Sequence, residues 1–126
     1  MVKNLEAPDG YWHLRLPHLT SIVQVVERVT SAIAYSRARQ IPGLLVDVTG
    51  VSPLIAPTLV DRFLMVETWA FASKGDVAVA VVAQPAHIHP TKFGVKLAND
   101  LGWKADVFVL EREALEWLLA QNSSEH

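Results

Sequence analysis

Segments with the hydrophobic pattern of a β-strand alternate along the chain with segments in which apolar residues recur every three or four positions. Four short segments, at 11–16, 43–48, 76–84 and 105–110, show the alternation or the unbroken apolar run that is typical of β-strands. Each is followed by a longer segment whose apolar residues recur every three or four positions, as in an amphipathic helix. The resulting order, β-α repeated four times, predicts an α/β fold with a mostly parallel four-stranded sheet flanked by helices.

The predicted strands differ in how much of their surface should be buried. In 11–16 apolar and polar residues alternate, so we expect one wet face and a position near a sheet edge. The segment 43–48 is nearly all apolar up to Asp47, which predicts an interior strand. The most hydrophobic segment, 76–84, predicts a central strand covered on both faces.

The first two helices carry start and stop signals. Ser21 with Gln24 three residues later predicts a capping box, and Thr58 with Asp61 predicts a second helix start. Gly75 is expected to end that second helix as a left-handed C-cap residue. The apolar pattern predicts which residues of these helices face the core. They are Ile22, Val25, Val26, Val29, Ala32 and Ile33 on the first helix, and Leu59, Phe63, Val66 and Ala70 on the second.

The last two helices follow the third and fourth strands. We expect the third from about Pro90 to Leu101, with Gly102 as its stop, and the fourth over 111–121 with acidic residues in its first turn. The residues expected to face inward are Phe93, Leu97, Ala98 and Leu101 on the third helix, and Ala114, Leu115, Leu118 and Leu119 on the fourth.

Composition narrows the class of protein. The 126 residues suit a single domain spanning 1–126, with 1–10 as a leader and 122–126 as a polar tail. The formal net charge is −2 and Lys and Arg are scattered, which disfavours a nucleic-acid partner. There is no cysteine, the N-terminus lacks a signal-peptide core, and the longest apolar run, 77–83, is too short to span a bilayer. We therefore expect a cytoplasmic protein without a membrane span.

The apolar content is high for a small domain. Hydrophobic residues make up 51% of the chain and the mean hydropathy is +0.24. Some of this surface would be covered by a second copy of the chain, which predicts a homodimer. Four tryptophans, Trp12, Trp69, Trp103 and Trp117, are expected to pack in the core, with a self-association patch that includes Phe71 as the alternative.

Motifs for catalysis and cofactor binding are missing from the sequence. Neither a glycine-rich phosphate loop nor a G-x-S-x-G elbow occurs, so we expect no catalytic residue, no cofactor and no enzymatic activity. His87 and His89 could point to the same side of an extended segment and meet a metal ion. No acid lies nearby, so helix entry is the favoured role and no metal ligand is predicted.

One carboxylate stands at the carboxyl end of a predicted strand. Asp47 lies beside Thr49 at the edge where open α/β proteins often bind ligands. A lone aspartate there more commonly accepts hydrogen bonds from loop amides than acts as a base. We therefore expect Asp47 and Thr49 to stabilise the loop.

The stretch LLVDVTGVSPLIAPTL, residues 44–59, resembles a known domain. A buried strand ending in D-x-[ST]-x-[VL], followed by a loop and a helix, resembles the STAS domain (sulfate transporter and anti-sigma factor antagonist). More closely, the chain resembles small bacterial STAS/SEC14-like proteins related to the sporulation stage II AA fold. The matching segments are LLVDVTGV, DRFLMVETWA, VAVAVVAQP, PTKFGVKLANDLGW and ADVFVL with EALEWL, which together cover about residues 11–120.

The resemblance implies a non-enzymatic interaction or regulatory module built from four β-α units. In anti-sigma factor antagonists, a D-S-S-G sequence carries a serine that a partner kinase phosphorylates. Alignment of 47–51 on that pattern places Ile-Ala-Pro-Thr, 55–58, at the D-S-S-G positions, so the serine is not carried over. A phosphorylation site would need Thr58 or Ser52 to substitute from a shifted position.

Two functional hypotheses follow from different classes. The first is a non-catalytic protein-interaction module, a homodimer that binds another protein. The second is a binder of a small lipophilic ligand such as an acyl chain, because helices rich in Val, Ile and Ala could open a cavity over the sheet. The residues predicted to form the partner or ligand surface are Asp47, Thr49, Ser52, Thr58 and Arg62.

Overall fold

The computed structural model describes Ala7 and residues 9–17, 21–51, 57–88 and 92–123. Within these residues, four strands and four α-helices alternate along the chain, as the hydrophobic pattern predicts. The elements are β1 Trp12–Arg15, α1 Ile22–Ala38, β2 Gly43–Asp47, α2 Leu59–Ser73, β3 Ala78–Val82, a 3-10 turn Pro85–His87, α3 Phe93–Asp100, β4 Ala105–Phe108 and α4 Glu111–Ser123.

The four strands form one parallel sheet in the order β1-β2-β3-β4. The α/β architecture with four β-α units is therefore confirmed, and β1 lies at an edge, as its alternating pattern predicts. In register, Arg15 pairs with Asp47, Asp47 with Val82, and Val82 with Phe108. The carboxyl ends of all four strands consequently lie at the same edge of the sheet.

The two faces of the sheet are covered unequally. Helices α1, α2 and α3 pack side by side on one face, and α4 lies against β2, β3 and β4 on the other. Alternate strand residues supply the two cores, because successive side chains in a strand point to opposite faces. Val46 and Val79 belong to the core under the three helices, whereas Leu45 and Ala80 belong to the core under α4. None of the helices in the described part of the chain is long and apolar enough to cross a membrane.

Small side chains lie at the centre of the face that α4 covers. Ala78 and Ala80 of β3 and Ala114 of α4 are buried together, which allows the helix to approach the sheet closely. Leu45 and Leu118 fill the remaining space in this core. The single helix α4 can therefore cover the middle of this face of the sheet.

The predicted inward face of α2 is partly wrong. Leu59 and Phe63 are 54% and 41% exposed, whereas Val66 and Trp69 are buried. Helix α2 is apolar on several sides, so the 3.6-residue period alone does not select one face. The side that packs inward is the one that includes Arg62, a charged residue that hydrophobic patterning assigns to solvent.

Two other helices differ from the pattern. Leu101 and Leu119 are exposed although the periodicity predicts them inward. Leu101 follows the last turn of α3, whereas Leu119 lies about 100° around α4 from the buried Leu118. Helix α3 begins at Phe93 after a left-handed Lys92, and not at the predicted Pro90, which lies outside the described residues. Gly102 ends α3 with a positive φ of 78°, as predicted.

The predicted N-cap residues of α1 and α2 are confirmed, and the reciprocal capping box is recorded at α2. Ser21 Oγ accepts a hydrogen bond from the Gln24 N–H at 3.1 Å, and Thr58 forms a reciprocal capping box with Asp61. At the other end of α2, the left-handed C-cap residue is Lys74, and Gly75 follows it with a φ of 78°. The prediction was thus one residue late, because the left-handed turn takes two residues.

Two tryptophans are core residues, as predicted. Trp69 and Trp103 are buried, and the Trp103 Nε1–H donates to the Val77 carbonyl at 3.0 Å. Trp12 and Trp117 are partly buried against the two cores, where Trp12 stacks on Tyr35 with ring centroids 4.4 Å apart. Phe71, the residue named for the alternative, is 75% exposed.

Two fully buried serines give a matched test of hydrogen bonding. Ser73 Oγ donates to the Val77 carbonyl at 2.9 Å and accepts from the Val77 N–H at 3.2 Å. Ser36 Oγ is buried without a hydrogen-bond partner among the described residues. We expect Ser73→Ala to lower the free energy of unfolding by about 1–3 kcal/mol, because it leaves a buried N–H unsatisfied. Ser36→Ala should leave stability unchanged or raise it.

Urea unfolding of the two variants beside the wild-type chain measures both effects. Because both substitutions remove one buried hydroxyl of the same size, each serves as the control for the other. Equal losses of stability would contradict the hydrogen-bonding difference between the two sites.

Candidate functional site

A cavity of about 170 Å³ lies between the carboxyl ends of the strands and the helices of the three-helix face. Its wall includes Val25 of α1, Met65 and Trp69 of α2, Val81 of β3 and Val107 of β4, together with Val48 beyond β2. Two strands, two helices and the segment after β2 therefore meet at one apolar space.

The position of Arg62 explains why no side chain of α2 fills this space. Arg62 precedes Val66 by four residues and Trp69 by seven, so the three side chains lie on the same side of α2. A guanidinium does not pack into an apolar core as a leucine would, because its charge resists the loss of water. The inward side of α2 therefore ends in a charged group beside the cavity.

Arg62 is half-buried, and burial lowers the pKa of its guanidinium below the ordinary value for arginine. The group nevertheless stays protonated at neutral pH, since the ordinary arginine pKa lies so far above it. Within the ranges that the structure describes, the Arg62 side chain has no hydrogen-bond acceptor and no carboxylate partner. The cavity thus carries one positive charge that no described residue neutralises.

The second cation on the cavity wall is neutralised. Lys92, the N-cap residue of α3, places its Nζ 3.0 Å from Asp106 Oδ1 of β4. The same Nζ lies 5.5 Å from the centroid of the Phe108 ring. Lys92 therefore contributes its aliphatic stem to the cavity while its charge is directed to the edge of β4.

Asp47 forms the centre of a separate polar cluster. Its Oδ1 accepts hydrogen bonds from the Thr49 N–H at 2.9 Å and the Thr49 hydroxyl at 2.6 Å, and its Oδ2 accepts from Arg15 Nε at 3.3 Å. Burial acts to raise the pKa of Asp47, but the bonds from Thr49 and the charge of Arg15 together hold it below its usual range. Asp47 is therefore an ionised structural acceptor.

The same arginine connects the strands to α4. Arg15 Nη2 lies 3.5 Å from Glu111 Oε1, and His13 Nε2 lies 3.7 Å from the same oxygen. His13, Asp47 and Glu111 offer potential ligand atoms within 4.8 Å of one another, the one such group of three in the described part of the chain. Because the Arg15 guanidinium contacts both carboxylates, the cluster already holds a cation.

The structure brings one of the five predicted surface residues to the cavity. That residue is Arg62; Asp47 and Thr49 stabilise the loop after β2, and the Thr49 carbonyl also accepts from Gln84 Nε2 at 2.8 Å. Thr58 is exposed and its hydroxyl is occupied by the Asp61 N–H. Ser52, the other position considered for phosphorylation, lies outside the described residues.

The histidine pair cannot be assigned a site. His89 and the side chain of His87 lie outside the described residues.

The residues that sequence reasoning missed are the apolar ones on the cavity wall, such as Val25 and Trp69. Their helical spacing is the same as that of ordinary core residues, so no sequence signal distinguishes them.

No family model, curated protein or solved structure matches the chain. The resemblance to STAS/SEC14-like proteins consequently stays a prediction. The geometry of the cavity and the charges around it carry the functional conclusion.

The buried carboxylate makes stability depend on pH in a defined direction. Because the pKa of Asp47 is lowered in the folded protein, its contribution to stability is present above the unfolded value near pH 4 and is lost as the pH falls through the folded value. We expect Asp47→Asn to lower the free energy of unfolding by about 1–2 kcal/mol at pH 7. The difference from wild type should shrink as the pH falls below about 4.

Urea unfolding at pH 7 and at pH 3 measures this difference. Asp76→Asn is the control, because Asp76 is exposed and pairs with Arg37 at 3.3 Å on the surface. The control should change stability little at either pH. A difference between Asp47→Asn and wild type that stays constant with pH would contradict the depressed pKa.

Proposed function

We propose that this protein is a non-catalytic binding module whose cavity takes a small apolar molecule. The observation that supports this is the apolar wall around a space of about 170 Å³ at the carboxyl edge of the sheet. An engineered apolar cavity of roughly 150 Å³ in another protein binds benzene, so this space suits one ring or a short branched chain. A short acyl chain also fits this volume.

The chemistry of the wall supports a binding role over catalysis. Among the described residues that line the cavity, none is Ser, His, Asp or Glu, so no nucleophile and base meet there. Lys92, the one lining amine among the described residues, is held by Asp106 in an ion pair with Nζ 3.0 Å from Oδ1. The resemblance to STAS/SEC14-like proteins also favours a regulatory module.

A cavity-filling substitution tests this proposal. We expect toluene at ten times its dissociation constant to raise the melting temperature of the wild-type protein by about 3–6 °C. Val107→Phe places a larger side chain at the wall and should abolish the shift. Val109→Phe, the same change at a residue that is 48% exposed and outside the cavity, should retain it.

Differential scanning calorimetry with and without toluene measures these shifts, and circular dichroism verifies that each variant is folded. The absence of any shift in the wild-type protein would contradict binding of an unsubstituted hydrocarbon ring in the cavity. An equal shift in Val107→Phe would place the binding elsewhere.

A row of exposed apolar side chains on α2 supports a second proposal, self-association. Leu59, Val60, Phe63 and Leu64 are 41–67% exposed, and they form two pairs spaced four residues apart. We call these four residues the α2 stripe. An identical stripe on a second copy would cover it in a two-fold symmetric homodimer, which is the commonest arrangement of soluble oligomers.

Sedimentation equilibrium across a concentration series tests the homodimer. Leu64→Glu introduces a charge into the α2 stripe and should convert a dimer into a monomer, weakening association at least tenfold. Leu119→Glu, at an exposed leucine on α4, is the matched control and should remain dimeric. A wild-type chain that is monomeric at millimolar concentration would contradict this proposal.

A further inference from the structure

The charges beside the cavity bear on the charge of the ligand as well as on its apolar part. Of its two cationic residues, Lys92 already has a carboxylate partner at 3.0 Å. Arg62 has none in the described ranges, although it is half-buried beside an apolar wall. An arginine left in this way loses hydration without a compensating ion pair, so an anion supplied by a ligand would be stabilised there.

The geometry of arginine favours a carboxylate as that anion. Its planar guanidinium donates two parallel hydrogen bonds to the two oxygens of a carboxylate. A phosphate would need more donors than one side chain, commonly the free N–H groups of a helix start or a glycine-rich loop. The N-terminus of α2 is occupied by its own capping box, and the sequence has no such loop. Helix α3 begins after Lys92 without a side-chain cap, so the test below compares a phosphonate with the carboxylate.

The rest of the wall restricts the apolar part of the ligand. The side chain of Trp69 lies on the same side of α2 as Arg62, so a ring in the cavity could contact the indole while its acidic group reaches the guanidinium. The cavity volume of about 170 Å³ accommodates one such ring.

We propose, on the basis of the ligand-binding function above, that the cavity binds a small monocarboxylate whose ring or short branched chain lies against Trp69 and whose carboxylate pairs with Arg62. One cation on the wall has no ion-pair partner among the described residues, and it matches a single negative charge on the ligand. Arg62 would then be the residue that selects acids over neutral molecules of the same shape.

Two ligands of nearly equal shape, one charged and one neutral, distinguish the effect of charge on affinity from the effect of size. Isothermal titration of the wild-type protein with phenylacetate and with neutral phenylacetamide compares them directly. We expect phenylacetate to bind at least about tenfold more tightly, which corresponds to about 1.4 kcal/mol. Phenylphosphonate, which carries the same ring on a phosphate-like group, should bind no more tightly than phenylacetate.

Variants of Arg62 assign the preference to its guanidinium. Arg62→Gln should reduce phenylacetate affinity about tenfold and leave phenylacetamide affinity unchanged, whereas Arg62→Lys should retain part of the preference. Arg112→Gln removes an arginine from the exposed side of α4 on the opposite face and should behave as wild type. The comparison of acid with amide in the wild-type protein remains decisive if Arg62→Gln does not fold.

The outcomes distinguish this inference from the proposed function. Equal affinities for the acid and the amide would overturn the carboxylate assignment while the apolar cavity remains a binding site. Binding of toluene with neither phenyl compound would overturn it in the same way. No binding of toluene, phenylacetate or phenylacetamide would overturn the proposed function itself. An equal loss of phenylacetate affinity in Arg112→Gln would attribute the preference to overall charge and overturn the role of Arg62.

Discussion

The pairing of each strand with the next one along the chain determines where every other element lies. Crossovers between parallel strands are right-handed with few exceptions, so three successive crossovers in the same direction place α1, α2 and α3 on one face. Only α4, which follows the last strand, remains for the other face. The unequal layers, the two cores and the position of the cavity all follow from this order.

The carboxyl edge of the sheet serves two separate purposes on its two faces. Asp47 and Val48 are consecutive residues at the end of β2, and the alternation of the strand directs them to opposite sides. Val48 contributes to the apolar cavity, whereas Asp47 binds Arg15 and thereby connects to Glu111 of α4. The apolar cavity and the ionic cluster thus lie on opposite faces of the sheet, although the residues that contribute to them are adjacent in the chain.

The strands and the fold class could be predicted because they depend on local patterns. Alternating and unbroken apolar runs identified all four strands, and the caps at Ser21 and Thr58 were visible in the sequence. The inward side of α2 could not be predicted, because apolar residues occur around most of that helix. Strand order also depends on pairing between distant segments, which periodicity does not encode.

The candidate site was only partly visible in the sequence, for a related reason. Arg62 was included in the predicted surface, and Asp47 with Thr49 was expected to stabilise a loop, which the hydrogen bonds between them confirm. A cavity, however, is a space between side chains from five elements, and Val25 or Trp69 would look the same in a filled core. Its existence depends on tertiary packing alone.

During synthesis on a ribosome, sequential pairing would let the sheet grow as the chain emerges. Each new strand finds its partner in the strand made just before it, so each pairing closes a single strand-helix-strand crossover and no longer loop. The face with Leu45 and Ala80 would meanwhile stay open to water until α4 leaves the exit tunnel. The nascent chain would therefore expose that apolar face late in translation, which makes α4 the element whose arrival protects the chain from aggregation.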